Sequence, residues 1–154
     1  MRAPSLYSYF GSKHEIYDAM FRQGYQQMLL GSPELPEDTT EETLVAFAHE
    51  AALRFFDFCV AEPARHQLLF LRTIPGFEPS PESYRVAVEA YDRTVGGLRR
   101  FPQVSDADLD LWTAALTGMV SQQLANDPGG TRWRDQVPRV VEMLLAETLG
   151  TSQP

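Results

Sequence analysis

The residues able to do chemistry in this sequence are few and scattered. His14, His49 and His66 fall in three separate segments. No Ser/His/Asp arrangement, metal-ligand spacing or glycine-rich phosphate loop accompanies them. His49-Glu50 and Glu62…His66 are pairs of a kind common on helix surfaces. No catalytic residue, metal ligand or cofactor is therefore expected, and the chain does not read as an enzyme. Cys59 is the only cysteine, which excludes an internal disulfide and a cysteine-rich zinc site. A buried cysteine acting as a small hydrophobe is a better reading of it than a redox sensor.

The elements that would position these residues are all helical. A short helix over 3–10 would end at Gly11, where glycine accepts the left-handed conformation. Ser12-Lys13-His14-Glu15 reads as a capping box opening a helix to about Leu30, stopped by Gly31-Ser32-Pro33. Thr40 caps a helix to about Ala61, whose apolar positions, among them Leu44, Phe47, Phe55 and Phe58, cover two faces and mark it as central. Pro63 opens a shorter helix broken by Pro75-Gly76. The next carries Tyr84, Val88, Tyr91, Val95 and Leu98 along one stripe. Ser105 caps a helix to about Asn126, and Asp127-Pro128-Gly129-Gly130 forms a turn. The last helix reaches about Leu149, with Pro138 marking its true start near Gln136 or a kink. No run alternates with period two, so the expectation is an all-α bundle of about six helices behind a short leading one.

Composition is consistent with this. A chain of 154 residues with 44 % hydrophobic and 22 % charged residues can bury one substantial core. No stretch has the roughly 18 to 20 apolar residues of a bilayer span, and Met1-Arg2-Ala3-Pro4 lacks the apolar run of a secretory signal. A cytoplasmic protein with no membrane partner is expected. The net charge of -8 is awkward for a nucleic-acid binder. The acidity lies beyond residue 25, however, as in Glu34-Leu35-Pro36-Glu37-Asp38 and Asp106-Ala107-Asp108-Leu109-Asp110.

One segment carries an identification. Ala3-Pro4-Ser5-Leu6-Tyr7-Ser8-Tyr9-Phe10-Gly11-Ser12-Lys13-His14-Glu15-Ile16 resembles the end of the DNA-binding domain of TetR-family transcriptional regulators, with Ser5, Leu6, Tyr7, Tyr9, Phe10, Ser12, Lys13 and Ile16 in register. Leu6 and Phe10 would share one helix face, leaving Tyr7 and Tyr9 to reach phosphates. Lys13 would add a cation where a helix N-terminus already favours an anion. The resemblance implies that Arg2, Ala3, Pro4 and Ser5 face base edges in the major groove. A complete family member has two further helices ahead of this motif, so the chain is expected to begin late within the helix-turn-helix. As it stands it would not bind an operator, and DNA would be a partner only of a full-length form.

The resemblance further implies a division at residue 30, with the end of the DNA-reading unit in 1–30 and a ligand-binding, dimerising domain in 31–154. The last two long helices would form a four-helix bundle with a second copy, using Ala114, Ala115, Gly118 and Ser121 on one helix and Val137, Val141, Leu144 and Leu145 on the other. An inducer pocket for an apolar or aromatic small molecule would draw on Phe55, Phe58, Cys59, Phe70, Tyr84, Tyr91, Trp112 and Met119, with His66 and Gln122 as polar anchors. The implied function is ligand-responsive transcriptional regulation, in the family's commoner mode repression. The alternative is a stand-alone helical interaction protein that heterodimerises with full-length relatives.

Overall fold

The helices begin where side chains or prolines can start them. In the computed structural model, which describes residues 9–150, α1 (Lys13–Gly31) opens with the Ser12 hydroxyl accepting the Glu15 N–H at 3.2 Å. The Glu15 carboxylate reaches back one residue further than a capping box requires, accepting the Gly11 N–H at 2.7 Å. α2 (Glu41–Ala61) and α5 (Asp106–Asn126) have complete capping boxes, Thr40 with Thr43 and Ser105 with Asp108. α4 (Pro81–Arg93) is capped by the Ser80 hydroxyl. α3 (Pro63–Phe70), α4 and α6 (Val137–Thr148) each hold a proline in their first turn, where its missing N–H costs nothing. Val95–Arg100 and Arg134–Gln136 form 3₁₀ turns. The fold is an all-α bundle with six α-helices and no strand among the described residues.

Two apolar cores hold it together. The larger joins α2, α5 and α6 through Leu44, Phe56, Leu109, Trp112, Val120 and Val141. Phe56 is almost wholly enclosed there, and truncating such a side chain to alanine costs about 3–5 kcal/mol. The smaller core joins α1, α3 and α4 through Phe21, Tyr25, Met28, Leu68, Leu69, Ala87 and Ala90. The segment divided off at residue 30 by resemblance thus shares a core with helices far beyond it. A Cβ at Gly24 would lie 3.0 Å from the Leu69 side chain, so glycine permits the close crossing of α1 over α3.

Two helices differ in their faces from a simple stripe. The stripe Tyr84, Val88, Tyr91, Val95, Leu98 is not the buried face of one helix. α4 ends at Arg93, Tyr84 and Val88 are exposed, and the buried positions are Ser83, Ala87 and Ala90. These small residues, at i, i+4 and i+7, let α4 lie close along α1. On α6, Val137, Val141 and Leu145 are buried in the chain's own larger core. Val140 and Leu144 are half-buried and Met143 is exposed, so these residues lie nearer the outer side of the helix.

Polar cross-links tie the helices of the larger core to one another. The Trp112 indole N–H donates to the Thr148 hydroxyl at 3.3 Å, joining α5 to α6. Arg134 clamps Asp57 with two bonds of 2.7 and 2.8 Å, tying the turn before α6 to α2. The buried Gln123 amide gathers the 127–133 turn through Asp127, the Gly130 carbonyl and the Trp133 N–H. No helix among the described residues is long and apolar enough to cross a membrane.

Candidate ligand cavity

Where the two cores meet, the packing is incomplete. Phe55, Phe58 and Phe70 rest against both cores, and beside them lies a cavity of about 250 Å³. α2 forms its longest wall, with Phe47, Ala48, Ala51, Ala52, Phe55 and Phe58. The alanines open the space. Three small residues at i, i+3 and i+4 on an otherwise aromatic helix leave room that neighbouring helices do not fill. α1 contributes Tyr25 and Met28, α3 Phe70, α4 Ala87 and Tyr91, and the following 3₁₀ turn Val95 and Leu98. α5 closes the far side with Trp112, Thr113, Leu116 and Thr117. Gly31, Arg54 and Thr113 are the exposed members of this lining.

Arg54 is the only charged side chain of the lining among the described residues, and each nitrogen of its guanidinium already has a partner. Nε and one terminal nitrogen hold Glu50 at 2.9 and 2.7 Å, and the other terminal nitrogen donates to the Gly31 carbonyl at 3.0 Å. It thereby bridges α2 to the end of α1 beside the cavity. Tyr25 is fixed by donating to the Leu69 carbonyl at 3.2 Å, and burial raises its phenol above the usual range.

The ten pocket residues expected from sequence divide evenly. Phe55, Phe58, Phe70, Tyr91 and Trp112 line the cavity. Cys59 and Met119 lie instead in the solid part of the larger core, where burial pushes the Cys59 thiol up to about 12 despite the nearby Arg65. His66 is buried on α3 beside Phe70, ring centroids 5.6 Å apart, and neither ring nitrogen has a hydrogen-bond partner among the described residues. Burial lowers its pKa. Tyr84 is 58 % exposed and borders a separate surface groove with Phe77 and Arg72. Gln122 is exposed and accepts from the Asn126 amide. Tyr25, Met28, Phe47, the three alanines, Thr113 and Thr117 were not expected. The alanine run beside Phe47 and Phe55 is the signal that could have revealed part of that wall.

The other expected sites are placed as follows. Arg2, Ala3, Pro4, Ser5 and Tyr7 lie outside the described residues. Tyr9 is 74 % exposed, and Lys13 is exposed at the first position of α1. On α5, Ala114 and Gly118 are exposed and Ala115 and Ser121 half-buried, so all four lie toward its outer side. No cluster of three or more metal-ligating side chains occurs among the described residues. The chain matches no protein-family model, no curated protein and no solved structure.

Proposed function

We propose that this chain is the small-molecule-binding and homodimerising core of a cytoplasmic TetR-type transcriptional regulator, acting as a repressor. The observation that carries the reading is the apolar cavity at the seam between two helical cores, with the exposed Arg54 in its lining. A site there touches α1 and α4 on one side and α2 and α5 on the other. A ligand that fits one arrangement of the two cores better than the other shifts the population toward it, and only such differential affinity can do so. α1 is the output. Its C-terminal half lines the cavity through Tyr25 and Met28, and its N-terminal end carries Lys13 and the Tyr9-to-Ile16 part of the motif that resembles a DNA-reading unit.

The outer sides of α5 and α6 support the dimer half of the reading. Leu111 on α5 and Met143 on α6 are 56 % and 63 % exposed, and Ala114 and Gly118, on the same side of α5 as Leu111, are exposed small residues. Small residues permit close helix approach between copies, as a two-fold interface requires.

Two measurements test the proposal. A thermal-shift screen of uncharged aromatic and aliphatic compounds should find binders that raise the melting temperature by mass action. Deleting the encoding gene should raise a small set of transcripts, and adding a binder to wild-type cells should raise the same set. Binders without any transcriptional change would overturn the regulator reading, and the absence of binders would overturn the cavity as its sensor.

A further inference from the structure

We infer that the cavity selects an uncharged, compact ligand of about two fused rings that carries one hydroxyl-like group. This rests on the reading of the cavity as a binding site, and it follows from which polar atoms of the lining are already committed. An engineered apolar cavity of about 150 Å³ accommodates a single benzene ring. A cavity of about 250 Å³ therefore suits a two-ring skeleton.

Charge is the next constraint. The lining has no carboxylate among the described residues, so a ligand cation finds no counter-ion there. Arg54 is the one cation, and its three guanidinium nitrogens are held by Glu50 and the Gly31 carbonyl. A ligand anion would share that guanidinium with a carboxylate already paired at 2.7 Å, whose negative charge opposes it. A cation would be desolvated with no counter-ion and an anion with one already half-neutralised, and burying an ill-compensated charge is far costlier than burying a neutral polar group.

Hydrogen-bonding capacity then narrows the neutral ligands. The Ser32, Thr94 and Thr113 hydroxyls each donate to a carbonyl of their own helix, at 2.7, 2.9 and 2.9 Å, and Tyr25 donates to Leu69. Their protons are spoken for. The Tyr91 and Thr117 hydroxyls make no hydrogen bond among the described residues, and they stand on α4 and α5. They are the lining hydroxyls whose protons no described residue holds, and we assign them as donors to a ligand oxygen, while the committed hydroxyls retain lone pairs to accept a ligand O–H.

The test compares four probes on the whole chain by isothermal titration at neutral pH: 2-naphthylmethanol, 2-methylnaphthalene, 2-naphthoate and 2-naphthylmethylamine. The alcohol is expected to bind at least about tenfold more tightly than the carboxylate or the ammonium. Tyr91→Phe or Thr117→Val should weaken the alcohol by about three- to tenfold and leave methylnaphthalene unchanged, with circular dichroism confirming the fold. A carboxylate or ammonium that binds as tightly as the alcohol overturns the inference and leaves the binding site standing. If all four probes fail to bind, the cavity reading falls, and the inference with it. If neither substitution changes the alcohol's affinity, the assignment of the two donors is wrong.

Discussion

Asp18 on α1 accepts the backbone N–H of Ser80 at 2.6 Å, and its second oxygen accepts the Ser80 hydroxyl at 2.9 Å. The same oxygen takes the buried Ser83 hydroxyl at 2.8 Å. One carboxylate of α1 thus holds the N-terminus of α4, where backbone amides and the helix dipole favour an anion. Arg22, one turn along α1, reaches Glu82 on the same end of α4 at 2.8 Å. The two helices are fixed to each other at the end of α4 away from Tyr91.

Asp18→Ala should therefore lower stability by about 1–3 kcal/mol, the range for hydrogen bonds to a charged group. Asp18→Asn, which keeps one acceptor oxygen, should cost less. Burial raises the carboxyl's pKa, but the bonds from Ser80 and Ser83, with Arg22 nearby, outweigh it and leave it below the ordinary value. A depressed folded-state pKa contributes stability that is present above the unfolded value of about 3.9 and lost as pH falls through the lower folded value. Urea midpoints measured from neutral pH to strong acid should show Asp18→Asn removing part of the acid-side slope. Identical slopes in the two proteins would count against this assignment.

His66 gives a second pH-dependent contribution, in a different window. Its ring is 1 % exposed, with neither nitrogen partnered among the described residues, and burial disfavours the imidazolium. The unfolded chain takes up a proton below about 6.5 while the folded chain resists it. Stability should accordingly be full above that pH and decline as pH falls below it. His66→Leu keeps much of the volume and removes two unsatisfied polar atoms. It is expected to raise stability at neutral pH by about 1 kcal/mol or more and to flatten the profile between mildly acidic and neutral pH. A destabilised variant with an unchanged profile would show that His66 has polar partners in solution.

How much of this could be read from the sequence depends on how local the cause is. Ser12, Thr40 and Ser105 act as helix caps as expected, because a cap is decided by a residue and the amide three positions on. Helix faces are a tertiary matter. Val137, Val141 and Leu145 form as convincing a stripe as any dimer seam, yet α2 and α5 cover them. On α4 the larger Tyr84 and Val88 look like core, but contact with α1 is closest where Ala87 and Ala90 allow it. The cavity was half legible for the same reason. Aromatic residues announce where apolar surface lies, whereas a void is made by what is small, here Ala48, Ala51 and Ala52. Cys59 shares a helix with Phe55 and Phe58 and still faces packed side chains.

That placement makes Cys59 a chemically silent thiol. It is 0 % exposed, and its pKa of about 12 leaves almost no thiolate at neutral pH. Native protein should react with a disulfide exchange reagent only as fast as it unfolds, releasing one equivalent promptly once denatured. Prompt reaction in the absence of denaturant would mean that the larger core opens around α2 far more readily than its packing implies.

Gly118 offers the sharpest test of self-association. It lies exposed in the middle of α5, and a Cβ built there meets nothing within 4 Å. In an isolated chain, Gly118→Ala should therefore be stabilising by up to about 1 kcal/mol, since alanine is the better helix former and no atom opposes it. Across a two-fold interface the same methyl would stand between closely approaching helices, and it should loosen them. The expected result is a split: a higher urea midpoint at low protein concentration, together with a larger dimer dissociation constant by sedimentation equilibrium. Met143→Lys, at a side chain 63 % exposed, should weaken the dimer in the same way while leaving the dilute chain's stability nearly unchanged. A wild-type chain that sediments as a monomer at micromolar concentration, or a Gly118→Ala variant that associates as tightly as wild type, would remove the outer side of α5 as a dimer face.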